Sequence, residues 1–121
     1  MSRILVAEDD AALRRLYMVW LESAGHQVTE AADGRDAIAH IQRRVPEAAV
    51  LDIEMPYVDG LAVCRYLHTL SPEVAIVVVT ARDDAQASAA AAGAHGFLSK
   101  PCDREQLVSA VDGLYAALTV V

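Results

Sequence analysis

The sequence predicts an α/β domain, a five-stranded parallel sheet with helices on both faces. Three observations carry this. Strand-length apolar runs and helix-period segments alternate from one end of the chain to the other. The run VAIVVVT is apolar without interruption, as in a strand covered on both faces of a parallel sheet. No linker, repeat or low-complexity tract breaks the alternation, and 121 residues suffice for one core, so residues 1–121 are read as a single domain.

RILVAE is the first strand. Asp10 suits the N-cap of the helix that follows. On that helix Leu13, Leu16, Tyr17, Trp20, Leu21 and Ala24 recur as one stripe facing a sheet, and Gly25 ends it. HQVTEA alternates and reads as a more exposed second strand. Asp33-Gly34 opens a helix with Ala37, Ile38, Ile41 and Val45 inward, and Pro46 stops it. AAVLD is the third strand. A loop through Pro56 and Asp59-Gly60, a turn and helix cap, leads to a helix carrying Leu61, Cys64, Leu67 and Leu70. Ser71-Pro72 turns the chain into VAIVVVT, the fourth strand. Residues 84–92 read as an alanine-rich helix ended by Gly93, and GFLSK as a short fifth strand. Asp103 with Gln106 makes a capping box for the last helix, which turns Leu107, Val111, Leu114 and Leu118 inward.

Composition excludes several classes. At 55% apolar the chain is not disordered, and no apolar run nears the roughly 20 residues that span a bilayer. MSRILVAEDD lacks the features of a signal peptide, so the expected location is cytoplasmic. A net charge of −7 without a basic stripe argues against direct nucleic-acid binding. Cys64 and Cys102 match no metal spacing and are expected to be reduced, with Cys64 filling core. The four histidines are scattered and carry no ligand pattern. Of the ten basic residues nine are Arg, and the single lysine is Lys100.

In a parallel sheet, function collects beyond the carboxyl ends of the strands. The residues there are Glu8 and Asp9 after the first strand and Asp52 after the third, with Glu54 in its loop. The fourth strand ends on Thr80 and the fifth on Lys100. Two carboxylates about 5 Å apart at an effective dielectric of about 20 repel by roughly 3 kcal/mol, so such a cluster calls for a cation. Oxygen donors without Cys or His select a hard ion, Mg²⁺, with Mn²⁺ as the alternative. Asp52 is then a candidate phosphoryl acceptor. Lys100 supplies a positive charge for one phosphoryl oxygen, and the Thr80 hydroxyl and Ala81 N–H serve another. The six glycines form no nucleotide-binding loop, so the phosphoryl group must arrive on a donor.

The segments ILVAEDD, LDIEMPYVDG, VVVTA and GFLSKP, in this order and spacing, resemble the receiver domain of two-component response regulators. The resemblance covers essentially the whole chain. Each segment is weak alone, and the four together are specific. It implies a flavodoxin-like, CheY-like sheet of order 2-1-3-4-5. It implies Asp52 as phosphoacceptor, Asp9 as direct metal ligand, Glu8 acting mostly through water, and a metal ligand in the Glu54 backbone carbonyl. Thr80 and Phe97 match the switch pair, Lys100 the family lysine, and Lys100–Pro101 a frequent cis bond. The implied function is a non-enzymatic switch phosphorylated on Asp52 by a histidine kinase or a histidine phosphotransfer protein. It would signal to an output partner through the fourth helix, fifth strand and fifth helix.

The chain departs from the family in places. Cys102 stands where an aromatic is frequent, and Phe97 lacks the hydroxyl of a Tyr. Glu54 and Arg82 are expected to pair across the pocket mouth and tune water access. The fourth helix, within DDAQASAAAAGAH, has little large apolar surface, so weak docking and mobility are expected. The last helix ends without basic residues, which disfavours a dimer stitched by Arg–Asp pairs on that face. Two rival readings remain at this level. One is a receiver-like module that binds partners without phosphorylation. The other is a phosphohydrolase with Asp52 as nucleophile in a D-x-D signature, which would need a substrate cap that this chain has no residues to build.

Overall fold

The computed structural model describes residues 2–119. Five strands, β1 (Arg3–Ala7), β2 (Gln27–Ala31), β3 (Ala48–Leu51), β4 (Ala75–Thr80) and β5 (Gly96–Ser99), form one parallel sheet in the order β2-β1-β3-β4-β5. Between and after them run α1 (Ala11–Ser23), α2 (Gly34–Arg43), α3 (Gly60–Leu70), α4 (Gln86–Ala91) and α5 (Arg104–Thr119). Fold class and strand order agree with expectation.

Period-2 alternation sorts the core into two layers. Leu5, Ala7, Ala49, Leu51 and Ile76 face α2 and α3, meeting Ala37, Ile41, Val63, Cys64 and Leu67. Ile4, Val6, Val50, Val77 and Val79 face the other way, onto Tyr17 and Leu21 of α1 and Leu107 and Val111 of α5. Every residue of β3 and β4 is buried, whereas the edge strand β2 alternates between exposed and half-buried before Ala31. Hydrophobic burial of this kind contributes about 1.5–3 kcal/mol for each large side chain.

The helix caps follow the sequence. Asp10, Asp33 and Asp59 accept N–H groups of the first turns of α1, α2 and α3. Asp103 and Gln106 exchange reciprocal bonds of 2.8 and 2.9 Å, the expected capping box. Gly25 and Gly93 take positive φ where α1 and α4 stop.

Three expectations shift. Leu16 is 42% exposed, because α1 buries a narrower arc centred on Tyr17 and Leu21. Leu70 is also exposed, since it occupies the last turn of α3, while Val63 takes the inward place. The alanine-rich helix is shorter than 84–92: a 3₁₀ turn at Asp83–Ala85 precedes α4, and neither start carries a side-chain cap. For Leu118, expected to point inward, the structure describes the helical backbone but not the side chain.

Candidate functional site

The ladder positions the site. One residue beyond each strand, the backbone is still held by its neighbour. The Glu8 N–H donates to Ala31 O (3.1 Å), the Asp52 N–H to Ala7 O (3.0 Å) and the Lys100 N–H to Thr80 O (2.9 Å). Glu8, Asp52 and Lys100 therefore leave rigid strand ends rather than free loops. The Lys100–Pro101 bond is cis.

Their side chains converge. Lys100 Nζ donates to Glu8 Oε1 at 2.6 Å and to Asp52 Oδ2 at 3.0 Å. The second Glu8 oxygen accepts the Asp10 N–H at 3.0 Å, and the Glu8 carbonyl accepts Arg14 Nη1 at 2.8 Å. Glu8 is 1% exposed and Asp52 6%, while Asp9 lies open to solvent. Burial pushes the Glu8 carboxyl up, against the pull of Lys100 and the Asp10 N–H. Burial also disfavours the Lys100 ammonium, but Glu8 and Asp52 together outweigh it and raise its pKa. The two carboxylates thus hold Lys100 in its charged form.

Three carboxylates against one ammonium leave net negative charge, and two of the three, Glu8 and Asp52, are shielded from water. One ligand oxygen from each of Glu8, Asp9 and Asp52 lies within 4.8 Å of the others, the one group of this kind among the described residues. The donor set is all oxygen and has an open side at Asp9. Both features fit Mg²⁺, which retains waters and takes few protein ligands.

The remaining predicted residues are less uniform. Thr80 is fully buried, and its Oγ1 accepts the Arg82 N–H at 3.3 Å. Ala81 follows it, exposed, at the rim. Phe97 is half-buried against a small cluster of Ile53, Val78, Ala85 and Ala89, which joins β5 to α4. Glu54 is exposed and makes no ion pair with Arg82. The expected pair across the mouth is absent among the described residues; the Arg82 guanidinium instead lies 3.6 Å from Asp84, its near neighbour in the 3₁₀ turn, which a short local loop closes more readily.

Two residues escaped the sequence reading. Gly60 is more than a cap: a Cβ there would lie 1.8 Å from the Asp52 carbonyl oxygen, and its N–H donates to Ile53 O at 2.7 Å. The helix start is thereby pressed against the acceptor strand end. Arg14 ties the Glu8 carbonyl to Glu30 on β2. A glycine eight positions past the acidic strand end was visible in the sequence, but its contact partner was not.

A family model described as the response regulator receiver domain matches residues 4–112. The chain is a response regulator receiver domain. This receiver is 40% identical over 119 residues to the response regulator MprA of Mycolicibacterium vanbaalenii, covering 97% of this chain and 52% of that protein. It is also 40% identical over 114 residues to MprA of Mycobacterium leprae, covering 93% and 50%. The receiver thus spans about half the length of the curated relatives it matches. Among solved structures it superposes on a CheY-like receiver domain protein from Methanospirillum hungatei with a TM-score of 0.91 at 26% identity, covering 98% of this chain and 96% of that one. A Francisella receiver domain gives a TM-score of 0.90, also at 26% identity, over 97% and 98%. Receiver domains are in general signalling modules that interact with histidine kinases and output domains, and they bind Mg²⁺ through such an acidic cluster. No helix among the described residues is long and apolar enough to cross a membrane.

Proposed function

We propose that residues 1–121 act as one phospho-accepting switch, with Asp52 as the phosphoacceptor. The observation that carries this reading is the position of the Lys100 ammonium, within 3.0 Å of Asp52 and 2.6 Å of Glu8 at the end of a buried sheet. An acceptor carboxylate beside a fixed cation and two further acids has the parts that phosphoryl transfer requires.

In this reading an Asp52 carboxylate oxygen attacks the phosphorus of a phosphohistidine on a kinase or phosphotransfer protein. The P–N bond breaks, its electron pair stays on the imidazole nitrogen, and that nitrogen takes up a proton. Lys100 faces the incoming phosphoryl oxygens. The Thr80 hydroxyl and Ala81 N–H serve another oxygen. Asp9, Asp52 and the Glu54 backbone carbonyl would hold Mg²⁺, with Glu8 acting chiefly through water. When bound, that ion supplies charge neutralisation for the phosphoryl oxygens.

Phosphorylation replaces one negative charge on Asp52 by about two. Thr80 is drawn toward the new oxygens and Phe97 turns into the space this opens, so α4, β5 and α5 carry the signal to an output partner or domain. Half-burial of Phe97 supports its place in a two-state element, since a fully packed ring would have nowhere to go. Exposed Glu54 and Arg82 stand at the mouth as candidates for tuning water access, each acting separately.

The test is a small-molecule donor. Acetyl phosphate with Mg²⁺ should add the mass of one phosphoryl group to wild type. Asp52→Asn should add none. Equal labelling of both proteins would remove Asp52 from the role.

A further inference from the structure

The opposite end of the sheet holds a second feature. Three of the ten basic residues of this acidic chain, Arg3, Arg43 and Arg44, border one cavity of about 200 Å³. It lies between the starts of β1 and β2 and the carboxyl-terminal half of α2. It exists because β2 is an edge strand: α2 covers its carboxyl end at Ala31 but leaves Gln27 and Thr29 exposed. Leu5 and Ile41, both buried core residues, supply apolar wall.

The charges around this cavity are not all spent. Arg3 donates to Val45 O at 3.1 Å and faces Glu47 at 3.7 Å, and His40 lies 3.5 Å from Asp36. Arg43 and Arg44 have no hydrogen-bond or ion-pair partner for their guanidinium groups among the described residues. No carboxylate lines the cavity. The helix dipole accounts for a cation at Arg43, in the last turn of α2. It does not account for Arg44, whose backbone has left the helix (φ −159°, ψ 118°), nor for the apolar wall beside both.

We propose that this cavity binds a small organic acid: a phosphate, phosphonate or carboxylate carried on an apolar body. The acid group sits at Arg43 and Arg44, whose forked donors suit such oxygens. The apolar body lies against Leu5 and Ile41, and Thr29 and Gln27 offer neutral polar contacts. A volume equal to about seven waters limits the ligand to fragment size, below the usual range for drug-sized pockets. The site is independent of Asp52 chemistry and stands whether or not that reading holds.

The probe is phenylphosphonate, titrated into the full chain with EDTA present and followed by amide NMR. Saturable shifts are expected at Arg3, Thr29, Ile41 and Arg44, with half-saturation in the low millimolar range. Inorganic phosphate and benzyl alcohol, each carrying half of the recognised chemistry, should bind at least tenfold more weakly. Arg43→Gln with Arg44→Gln should weaken phenylphosphonate at least tenfold while leaving the rest of the spectrum in place. Raising salt should weaken binding to wild type, a readout that needs no variant. No saturable shift at these amides, binding indifferent to salt, equal binding of benzyl alcohol, or shifts confined to the neighbourhood of Asp52 would each overturn the proposal.

Discussion

The Lys100 ammonium lies closer to Glu8 than to Asp52, 2.6 Å against 3.0 Å. Lysine and glutamate here come from opposite ends of the chain and meet at a site where Glu8 is buried and Lys100 half-buried. Glu8 therefore has a role in the metal-free protein: it holds the lysine over the acceptor. Removing Lys100 leaves two buried carboxylates facing each other. In EDTA, Lys100→Met should lose about 3 kcal/mol of stability in urea, the usual scale for breaking a buried pair. Mg²⁺ should restore part of the loss and bind the variant more tightly than wild type, because a competing cation is gone. A variant as stable as wild type in EDTA would mean that the pair contributes nothing.

Gly60 gives a steric prediction. Its missing Cβ would fall 1.8 Å from the Asp52 carbonyl oxygen, which is backbone and cannot swing aside. Gly60→Ala should destabilise by about 3 kcal/mol or more and slow labelling of Asp52 by acetyl phosphate. Gly113, with open space around it on α5, is the control. Gly113→Ala should be neutral or stabilising by about 0.5–1 kcal/mol. Similar thermal midpoints for the two variants would remove the contact from consideration.

His95 makes stability depend on pH. Its Nδ1 accepts the Ile76 N–H at 3.2 Å, which requires that nitrogen to be unprotonated. Burial, and then the neighbouring His68 ring 6.0 Å away, hold its pKa below the usual 6.5. The unfolded chain thus binds this proton more readily than the fold does. Stability from this group is complete above pH 6.5 and is lost as pH falls below it, toward the depressed folded value. His95→Asn should flatten the stability profile between pH 6.5 and pH 5 in urea titrations. An unchanged slope would assign the loss to other groups.

The shortest helix should also be the least protected. α4 has six residues, no side-chain cap and only alanines buried at Ala85, Ala89 and Ala92 around it. Amides of Gln86–Ala91 should exchange orders of magnitude faster than those of β4. Protection equal to that of α3 would contradict a mobile output helix.

Much of this was legible before any coordinates. Strand edges ending on Glu8, Asp52, Thr80 and Lys100 define the site once the strands are known to be parallel, and the caps at Asp10, Asp33, Asp59 and Asp103 are local chemistry. What stayed hidden depends on long-range packing. Leu16 and Leu70 fit a helical stripe, but how wide an arc is covered depends on the neighbouring elements. The contact of Gly60 with the Asp52 carbonyl depends on the approach of α3. Arg82 found Asp84 rather than Glu54 because a loop's course is not written in its charges.

The most direct test of the central claim is to trap the modified residue. After acetyl phosphate and Mg²⁺, borohydride reduces an aspartyl phosphate to homoserine, and peptide mass mapping reads its position. Homoserine at position 52 alone is the expected result. Homoserine at position 9, or no conversion in a protein that has gained a phosphoryl group, would contradict it.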